Sequence, residues 1–297
     1  MVSLLLVGAL SNVSYVNLTL HSSLAKLILK HKTQIKKLNT LYICKVCKDT
    51  QLSFTLKCRT CASFLSLEKI IPEPQILTLD ELEITEIRKL KTPIDENLNE
   101  GLPLGSMTIL AGVPGAGKST LALEIINQIL LTEQIPVLYI SSEEPPEMIK
   151  IRALRCAPEL IHNDNFKILC ETIIERIRDA IKSVLTSEDM IIVLDSINAV
   201  VAGKSKSAPG SPSNIIKALN MLHNFRKTQE FKPTFLIISH ANKQKAIAGP
   251  LTLQHMVDIV LFLDIEKDNS RTLTTLKNRF GPAGIKTYQR KSKRIIQ

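Results

Sequence analysis

The sequence predicts an α/β fold in which a mostly parallel, doubly wound sheet follows a small module held by cysteines. Two observations predict this architecture. Apolar strand-like stretches alternate with helix-like segments over the later two thirds of the chain, and four of the six cysteines fall in two close pairs ahead of them. With 297 residues, 44% of them apolar, the chain can bury one main core and a smaller one, and its composition excludes a disordered or collagen-like protein.

Seven strand-like stretches make up the predicted sheet. The first five alternate with helices, as in a doubly wound fold, and the last two extend the sheet. They are residues 107–111, 136–141, 166–170, 190–195, 233–239, 259–263 and 271–276.

Five segments follow one another along the chain. They are a leader or disordered extension (1–41), a four-cysteine module (42–65), an acidic linker and lead-in (66–100), the α/β domain (101–290) and a basic tail (291–297). No run approaches the ~18–20 apolar residues of a membrane-spanning helix, so no membrane partner is expected. A cytoplasmic location is favoured. The acid-free N-terminus leaves organelle targeting and a wrongly extended start as alternatives.

Charge is distributed unevenly over three segments. Residues 1–48 carry +7, residues 49–200 carry −9 and residues 201–297 carry +12, within a net charge of +10. Such a layout favours a polyanionic partner near the ends of the chain more than at its middle.

The paired cysteines predict a metal centre. Cys44 and Cys47 form one CxxC turn, Cys58 and Cys61 form another, and ten residues separate the pairs. Two such turns facing each other supply four thiolates for a tetrahedral Zn²⁺ site, which is structural because no position is left for water or substrate. Disulfides or free thiols are the alternative reading. Cys156 and Cys170 stand alone, and we expect both to be buried structural thiols.

A glycine-rich loop matches the pattern GxxxxGK[ST] at every fixed position, between a predicted strand and a predicted helix. Its backbone amides and the helix N-terminus suit phosphate groups, so ATP is the expected ligand. Lys118 would reach the β- and γ-phosphates and Ser119 would ligate Mg²⁺. The predicted nucleotide-binding residues of this loop are Gly112, Val113, Pro114, Gly115, Ala116, Gly117, Lys118, Ser119 and Thr120.

Polar residues at three strand ends complete the predicted nucleotide site. Asp195 ends a buried strand and would hold Mg²⁺ through its water shell, as a Walker B acid does. Glu143 and Glu144 follow residues 137–142, which we expect to lie next to the strand of the glycine-rich loop, so that one glutamate can activate water. His240 follows a third strand and is a candidate γ-phosphate sensor.

From about Tyr42 to about Thr287 the chain resembles the bacterial RadA (Sms) branch of RecA-like ATPases. The most specific matches are the stretches KNRFG at 277–281, IAGP at 247–250, QHMVD at 254–258 and SAPGS at 207–211. The resemblance assigns the catalytic glutamate to Glu143, the first of the pair. It also makes Lys277 and Arg279 candidate contacts to a neighbouring subunit's ATP or to DNA.

The resemblance implies a function in recombinational DNA repair. Members form hexameric rings, bind single-stranded or branched DNA, hydrolyse ATP to process recombination intermediates, and act beside a recombinase or replicative helicase. This sequence departs from the family pattern in three ways: it stops at Gln297 where a Lon-protease-like domain usually follows, its cysteine module lacks the usual Gly and Trp residues, and Ser142 stands where Gly is common.

Two lysine-bearing loops are the candidate DNA contacts. Lys204 and Lys206 follow the Asp195 strand, and Lys243 and Lys245 follow His240. Phosphate contacts by such lysines would make DNA binding strongly salt-dependent. The leading hypothesis is a DNA-dependent ATPase and motor. The alternatives are an ATP-gated, non-motor DNA-binding module or degraded paralogue without ring assembly, and a zinc-binding regulator in which the ATPase serves only as a fold.

Overall fold

The computed structural model describes residues 41–47, 50–51, 55–70, 86–185, 189–203, 207–229, 232–241 and 252–289. The chain divides into two compact units, with the division between Ile84 and Thr85. The predicted leader up to residue 40, the basic tail, and all four loop lysines 204, 206, 243 and 245 lie outside the described residues.

The first unit is a three-stranded antiparallel sheet. Strand β1 (Leu41–Cys44) lies between β2 (Thr50–Gln51) and β3 (Leu67–Ile70), with Cys44 opposite Leu67. Leu67 is buried and packs with Cys44 and Cys58. Residues 67–70, which the sequence places in the linker, therefore belong to the cysteine module, because the apolar side chain of Leu67 covers the cysteine cluster.

The lead-in before the glycine-rich loop is likewise part of a folded unit. Strands β4 (Lys89–Leu90) and β5 (Leu102–Pro103) pair around the short helix α1 (Asp95–Leu98). Asn97, fully buried in α1, donates hydrogen bonds to the carbonyl oxygens of Leu273 (3.2 Å) and Ile285 (3.3 Å). The later part of the predicted linker is thus hydrogen-bonded into the second unit.

The main elements of the second unit alternate in the predicted order. They are β6 (Met107–Gly112), α2 (Lys118–Thr132), β7 (Val137–Ser141), α3 (Pro146–Cys156), a 3₁₀ turn (Pro158–His162), β8 (Phe166–Cys170), α4 (Ile174–Val184), β9 (Ile191–Asp195), α5 (Pro212–Thr228), β10 (Thr234–His240), α6 (Thr252–Met256), β11 (Ile259–Ile265), β12 (Arg271–Asn278) and β13 (Lys286–Gln289).

These strands form one eight-stranded sheet in the order β13-β12-β11-β6-β10-β9-β7-β8. The pairs from β11 to β8 are parallel, whereas β12 and β13 are antiparallel additions. Successive residues of β6 point to opposite faces: Leu110 packs with α2 and α3, and Ile109 packs with α4 and α5. Helices therefore cover both faces, as in a doubly wound fold.

The expected adjacency of β7 to β6 is wrong. The neighbours of β6 are β10 and β11, and β10 and β9 both stand between β6 and β7. Neighbouring positions along the chain do not fix neighbouring positions in a parallel sheet, because each crossover helix can carry the next strand past others. All four strands are nevertheless parallel, so their C-terminal ends share one edge of the sheet.

The expectation of two buried lone thiols is also wrong for Cys170. It ends β8, the edge strand of the sheet, and is exposed. Cys156, at the end of α3, is only partly buried, and burial raises the pKa of its thiol to about 11.

Candidate functional site

The glycine-rich loop joins the end of β6 to the start of α2. Gly115 and Gly117 have φ values of +78° and +95°, the left-handed region that glycine adopts without steric cost. Gly112 has a different reason, since a Cβ there would lie 2.2 Å from the carbonyl oxygen of Leu263 in β11. The loop thus presents backbone amides at the N-terminus of a 15-residue helix, which is an anion-binding geometry.

Lys118 is held at the mouth of this loop. Its Nζ donates to the carbonyl oxygens of Gly112 (3.1 Å) and Val113 (3.0 Å), and the residue is only 6% exposed. Burial lowers the pKa of its ammonium group, and the carboxylates of Asp195 and Glu143 partly oppose that shift. The ammonium group and both predicted acids therefore share one electrostatic environment.

Asp195 and Ser119 meet, as a shared Mg²⁺ site requires. The Ser119 hydroxyl lies beside the Asp195 carboxylate, and Tyr139 Oη donates a hydrogen bond to Asp195 Oδ2 at 2.5 Å. Burial raises the pKa of Asp195, whereas the Tyr139 hydrogen bond and the nearby Ser119 hydroxyl favour its ionised form. A hydroxyl oxygen beside a carboxylate is a donor set of the kind that Mg²⁺ binds, so the residues present fit this ion.

Glu143 lies at the same edge and contacts two side chains. Its Oε1 accepts a hydrogen bond from the Ser196 hydroxyl and lies 3.0 Å from His240 Nε2. The hydrogen bond from His240 is the main reason that the pKa of Glu143 is lowered, against a smaller raising effect of burial. Glu143 is thus an ionised carboxylate at neutral pH, able to accept a proton.

Glu144 has a different environment from its neighbour. Both of its carboxylate oxygens accept hydrogen bonds from Arg152, at 2.7 and 2.8 Å, in a bidentate ion pair. Its backbone is tied to Ser141 as well, through the bond from the Ser141 hydroxyl to the Glu144 carbonyl oxygen. The two glutamates, which the sequence pattern alone leaves equivalent, differ in that only Glu143 contacts His240.

Ser142, the departure from the family's glycine, links two strand ends. Its hydroxyl donates to the carbonyl oxygen of Ser196 (2.6 Å) and its amide donates to that of Asp195 (2.7 Å). The side chain therefore strengthens the connection between β7 and β9 on which Glu143 and Asp195 stand.

Four residues of this site were missed by the sequence reasoning: Tyr139, Ser196, Arg152 and Asn198. Asn198 Oδ1 accepts from the His240 amide at 2.8 Å and so fixes the end of β10. Tyr139 could have been predicted from the sequence, because it is the one hydroxyl-bearing residue of the apolar stretch 137–140 and a buried hydroxyl needs a hydrogen-bond partner.

Lys277 and Arg279 lie at the opposite edge of the sheet. Lys277 Nζ donates to the carbonyl oxygens of Gln254 (2.6 Å) and Val257 (2.7 Å), and Arg279 Nη1 pairs with Asp258 Oδ1 at 3.0 Å. Asn278 is opposite Ile259, which pairs with Thr108 at the start of β6. About 13 Å of strand therefore separate Asn278 from the start of the glycine-rich loop of the same chain.

The cysteine module brings its four thiols together. All four Sγ atoms lie within 4.8 Å of one another, with Cys44–Cys61 and Cys47–Cys58 at 3.6 Å. A tetrahedral Zn²⁺ with Zn–S bonds of ~2.3 Å has sulfurs about 3.8 Å apart, so this geometry fits zinc. Ser66 Oγ lies 3.3 Å from Cys44 Sγ and is the main reason that the pKa of this thiol falls to about 6, which favours the thiolate that a metal binds.

In the part of the chain that the structure describes, no helix is long and apolar enough to cross a membrane.

Comparisons with known proteins show which family this chain resembles. Residues 73–246 match the family model described as an AAA domain. The chain is 37% identical over 224 residues to a protein from Bacillus subtilis named DNA repair protein RadA, covering 74% of this chain and 46% of the relative. It is 30% identical over 264 residues to the protein of the same name from Pseudomonas aeruginosa, covering 82% of this chain and 56% of the relative. The chain thus spans about half the length of these relatives.

A solved structure supports the fold independently. A KaiC-like protein from the archaeon Pyrococcus horikoshii superposes with a TM-score of 0.56 at 19% identity, covering 68% of this chain and 94% of that one. Together with the family match, the P-loop and the eight-stranded sheet, this identifies a RecA-like P-loop fold. The chain belongs to the AAA-domain family and is a RadA-like member of it.

Proposed function

We propose that the second unit binds ATP with Mg²⁺ and hydrolyses it. The observation that carries the proposal is the meeting, at one edge of the sheet, of Lys118, the Ser119–Asp195 pair and the Glu143–His240 pair. These are respectively a cation for the phosphate chain, a donor set for the metal ion and an ionised base with its own hydrogen-bond donor.

In the proposed reaction the oxygen of a water molecule forms a bond to the γ-phosphorus, while the bond from that phosphorus to the bridging oxygen of ADP breaks. Glu143 accepts a proton from the attacking water. Lys118 and the amides of the glycine-rich loop stabilise the charge of the phosphoryl oxygens. Mg²⁺, when bound, neutralises negative charge on the β- and γ-phosphates, and Ser119 and Asp195 are the residues that would hold it.

His240 positions the base in this scheme. It ends β10, opposite Gly112 of the glycine-rich loop, and its Nε2 lies 3.0 Å from Glu143 Oε1. A side chain that touches the base and stands beside the loop is placed to respond to the γ-phosphate, so we assign His240 the sensor role.

We further propose that hydrolysis serves DNA repair, with single-stranded or branched DNA as the partner. The name of the relatives supports this substrate class, and so does the +12 charge of residues 201–297. A surface of net positive charge attracts nucleic acid phosphates and releases their counterions on binding.

Ring assembly would give Lys277 and Arg279 the role that the resemblance implies. Lys277 lies about 10 Å of strand before the nucleotide loop of its own chain, and Arg279 lies further away. Both side chains bond to residues 254–258, so in this proposal their contact with ATP is to that of a neighbouring subunit. Lys277 bonds to residues 254–257 and Arg279 bonds to Asp258. These hydrogen bonds fix the position of the motif at the surface that contacts the neighbouring subunit.

Three measurements test the proposal. Steady-state phosphate release by the wild type should require Mg²⁺ and should be abolished in Lys118→Ala, and full activity in that variant would contradict the assignment of the site. Fluorescence anisotropy with labelled single-stranded DNA should show affinity falling steeply between 50 and 200 mM salt, by at least tenfold if several phosphates are contacted. Sedimentation with ATP and DNA distinguishes a ring from the non-motor, monomeric alternative.

A further inference from the structure

A cation that none of the sequence motifs includes lies against the glycine-rich loop. Arg271 begins β12, and its Nη1 would be 3.0 Å and its Cζ 3.3 Å from a Cβ built on Gly117. The hairpin geometry explains this placement. Strand β11 runs parallel to β6, so it ends at the loop edge of the sheet, and β12 starts its return there with Arg271 opposite Ile265.

The electrostatics of this position call for an anion. The Arg271 guanidinium adds positive charge beside the N-terminus of α2, where the helix dipole and Lys118 are already positive. Within the described residues, no hydrogen-bond acceptor or carboxylate pairs with the Arg271 guanidinium at bonding distance. The Arg271 charge acts on the carboxyl group of Glu124, nearly two turns into α2. Burial raises the pKa of Glu124, and the Arg271 charge only partly lowers it.

The positions of the catalytic residues indicate which phosphate of the nucleotide lies nearest to Arg271. Glu143, Asp195 and His240 come from β7, β9 and β10, all on one side of β6, and they define where the γ-phosphate must lie. Arg271 reaches the loop from β12, on the other side of β6. A phosphate chain held along the loop therefore has its nucleoside end on the Arg271 side.

We propose that Arg271 binds the α-phosphate of the nucleotide through its guanidinium group. This inference rests on the proposed function and adds to it a residue that recognises the part shared by ATP and ADP. Because the contact is the same before and after hydrolysis, Arg271 contributes to nucleotide affinity and not to the chemical step.

The test compares Arg271→Ala and Arg271→Lys with Lys267→Ala. Lys267 is an exposed residue of the same hairpin turn, so its variant removes an equal charge without touching the loop. Titration of the 297-residue chain with fluorescent ATP and ADP analogues should show both dissociation constants raised roughly tenfold or more in Arg271→Ala. Arg271→Lys should lie between, because it keeps the charge and loses the fork. Lys267→Ala should bind both nucleotides as the wild type does. In Arg271→Ala, kcat at saturating ATP should change less than about twofold.

Three results would overturn the inference. The first is nucleotide affinity within twofold of the wild type in Arg271→Ala, whether or not its melting temperature falls, since that fits a purely structural role of the Arg271 charge near Glu124. The second is a loss for ATP but not ADP, which would place the contact on the γ-phosphate. The third is an affinity for inorganic tripolyphosphate that is the same in Arg271→Ala as in the wild type, which would mean that the guanidinium contacts the nucleoside and not the phosphate chain. ADP binding tests Arg271 even if the wild type fails to hydrolyse ATP, so the two proposals can fail separately.

Discussion

The two adjacent glutamates at the end of β7 allow a sharp comparison between Glu143→Gln and Glu144→Gln. Each substitution removes one negative charge and changes the side-chain volume very little. In the structure only Glu143 contacts His240 and Ser196, whereas Glu144 pairs with Arg152. We therefore expect Glu143→Gln to abolish the proton-accepting group and Glu144→Gln to remove only an ion pair.

We expect Glu143→Gln to lower the rate of hydrolysis and Glu144→Gln to lower mainly the stability of the fold. Loss of a general base costs about 10²–10⁴ in rate, so kcat of Glu143→Gln should fall by at least a hundredfold. Its amide oxygen can still accept from the Ser196 hydroxyl, so the fold and the ATP dissociation constant should change little. For Glu144→Gln we expect kcat within about threefold of the wild type. Its free energy of unfolding should fall by about 1 kcal/mol, because the Glu144 side chain is 36% exposed and solvent screens the pair.

Single-turnover hydrolysis and nucleotide titration on both variants give the answer, with urea unfolding as the check on stability. The pH dependence adds a second readout. Since the hydrogen bond from His240 lowers the pKa of Glu143, the base stays ionised as pH falls, and the acid limb of the rate profile should lie below the ordinary glutamate value of 4.5. A hundredfold loss in Glu144→Gln with an active Glu143→Gln would refute the assignment of the base.

Three further perturbations test other parts of the structure. Tyr139→Phe removes a hydrogen-bond donor from Asp195 with almost no change in shape, and we expect the Mg²⁺ concentration for half-maximal hydrolysis to rise roughly tenfold in a metal titration; an unchanged requirement would mean that Asp195 needs no such support. Asp258→Ala leaves Arg226 and Arg279 without their shared, 6%-exposed carboxylate, so urea unfolding should show a loss of about 3 kcal/mol, and a loss under 1 kcal/mol would contradict a buried pair. The wild type should release one Zn²⁺ per chain to a chromophoric chelator, whereas Cys58→Ser should bind none, and retention of zinc by that variant would exclude the four-thiolate site.

Sequence reasoning was strongest where chemistry depends on local spacing. The glycine-rich loop, its strand and its helix are contiguous, so the positions of Lys118 and Ser119 follow from residue order alone. The same holds for the two CxxC turns, whose spacing predicts a cluster that the structure forms. A buried strand that ends in an acid is also visible as a local pattern, and it predicts the role of Asp195.

The sequence was weaker wherever the result depends on which strands become neighbours. The order β6-β10-β9-β7 is set by how crossover helices pack on the sheet, and no local pattern records it. For the same reason, Arg271 could not be connected with Gly117, because 154 positions of chain order separate two residues that the hairpin of β11 and β12 brings into contact. The exposure of Cys170 likewise follows only from the edge position of β8.

Two of the four stretches that carry the family resemblance contact each other. Lys277 and Arg279 hydrogen-bond to residues 254–258, so the KNRFG and QHMVD stretches form one structural unit. Gly281 packs so closely on Asn99 that a Cβ would come within 2.4 Å of the Asn99 side chain, which explains the glycine at the end of the motif. Part of the KNRFG pattern is therefore explained by contacts within this chain, and only the remaining exposed groups are available to a partner.

We propose that ATP hydrolysis at the Lys118–Glu143 site is coupled to DNA binding. The most direct test is the steady-state rate of ATP hydrolysis by the wild type with and without single-stranded DNA, measured in low salt beside Lys118→Ala. We predict a several-fold increase in kcat on addition of DNA that disappears at high salt and is absent from the variant. A rate that single-stranded DNA leaves unchanged, at a salt concentration where the DNA is bound, would contradict the claim.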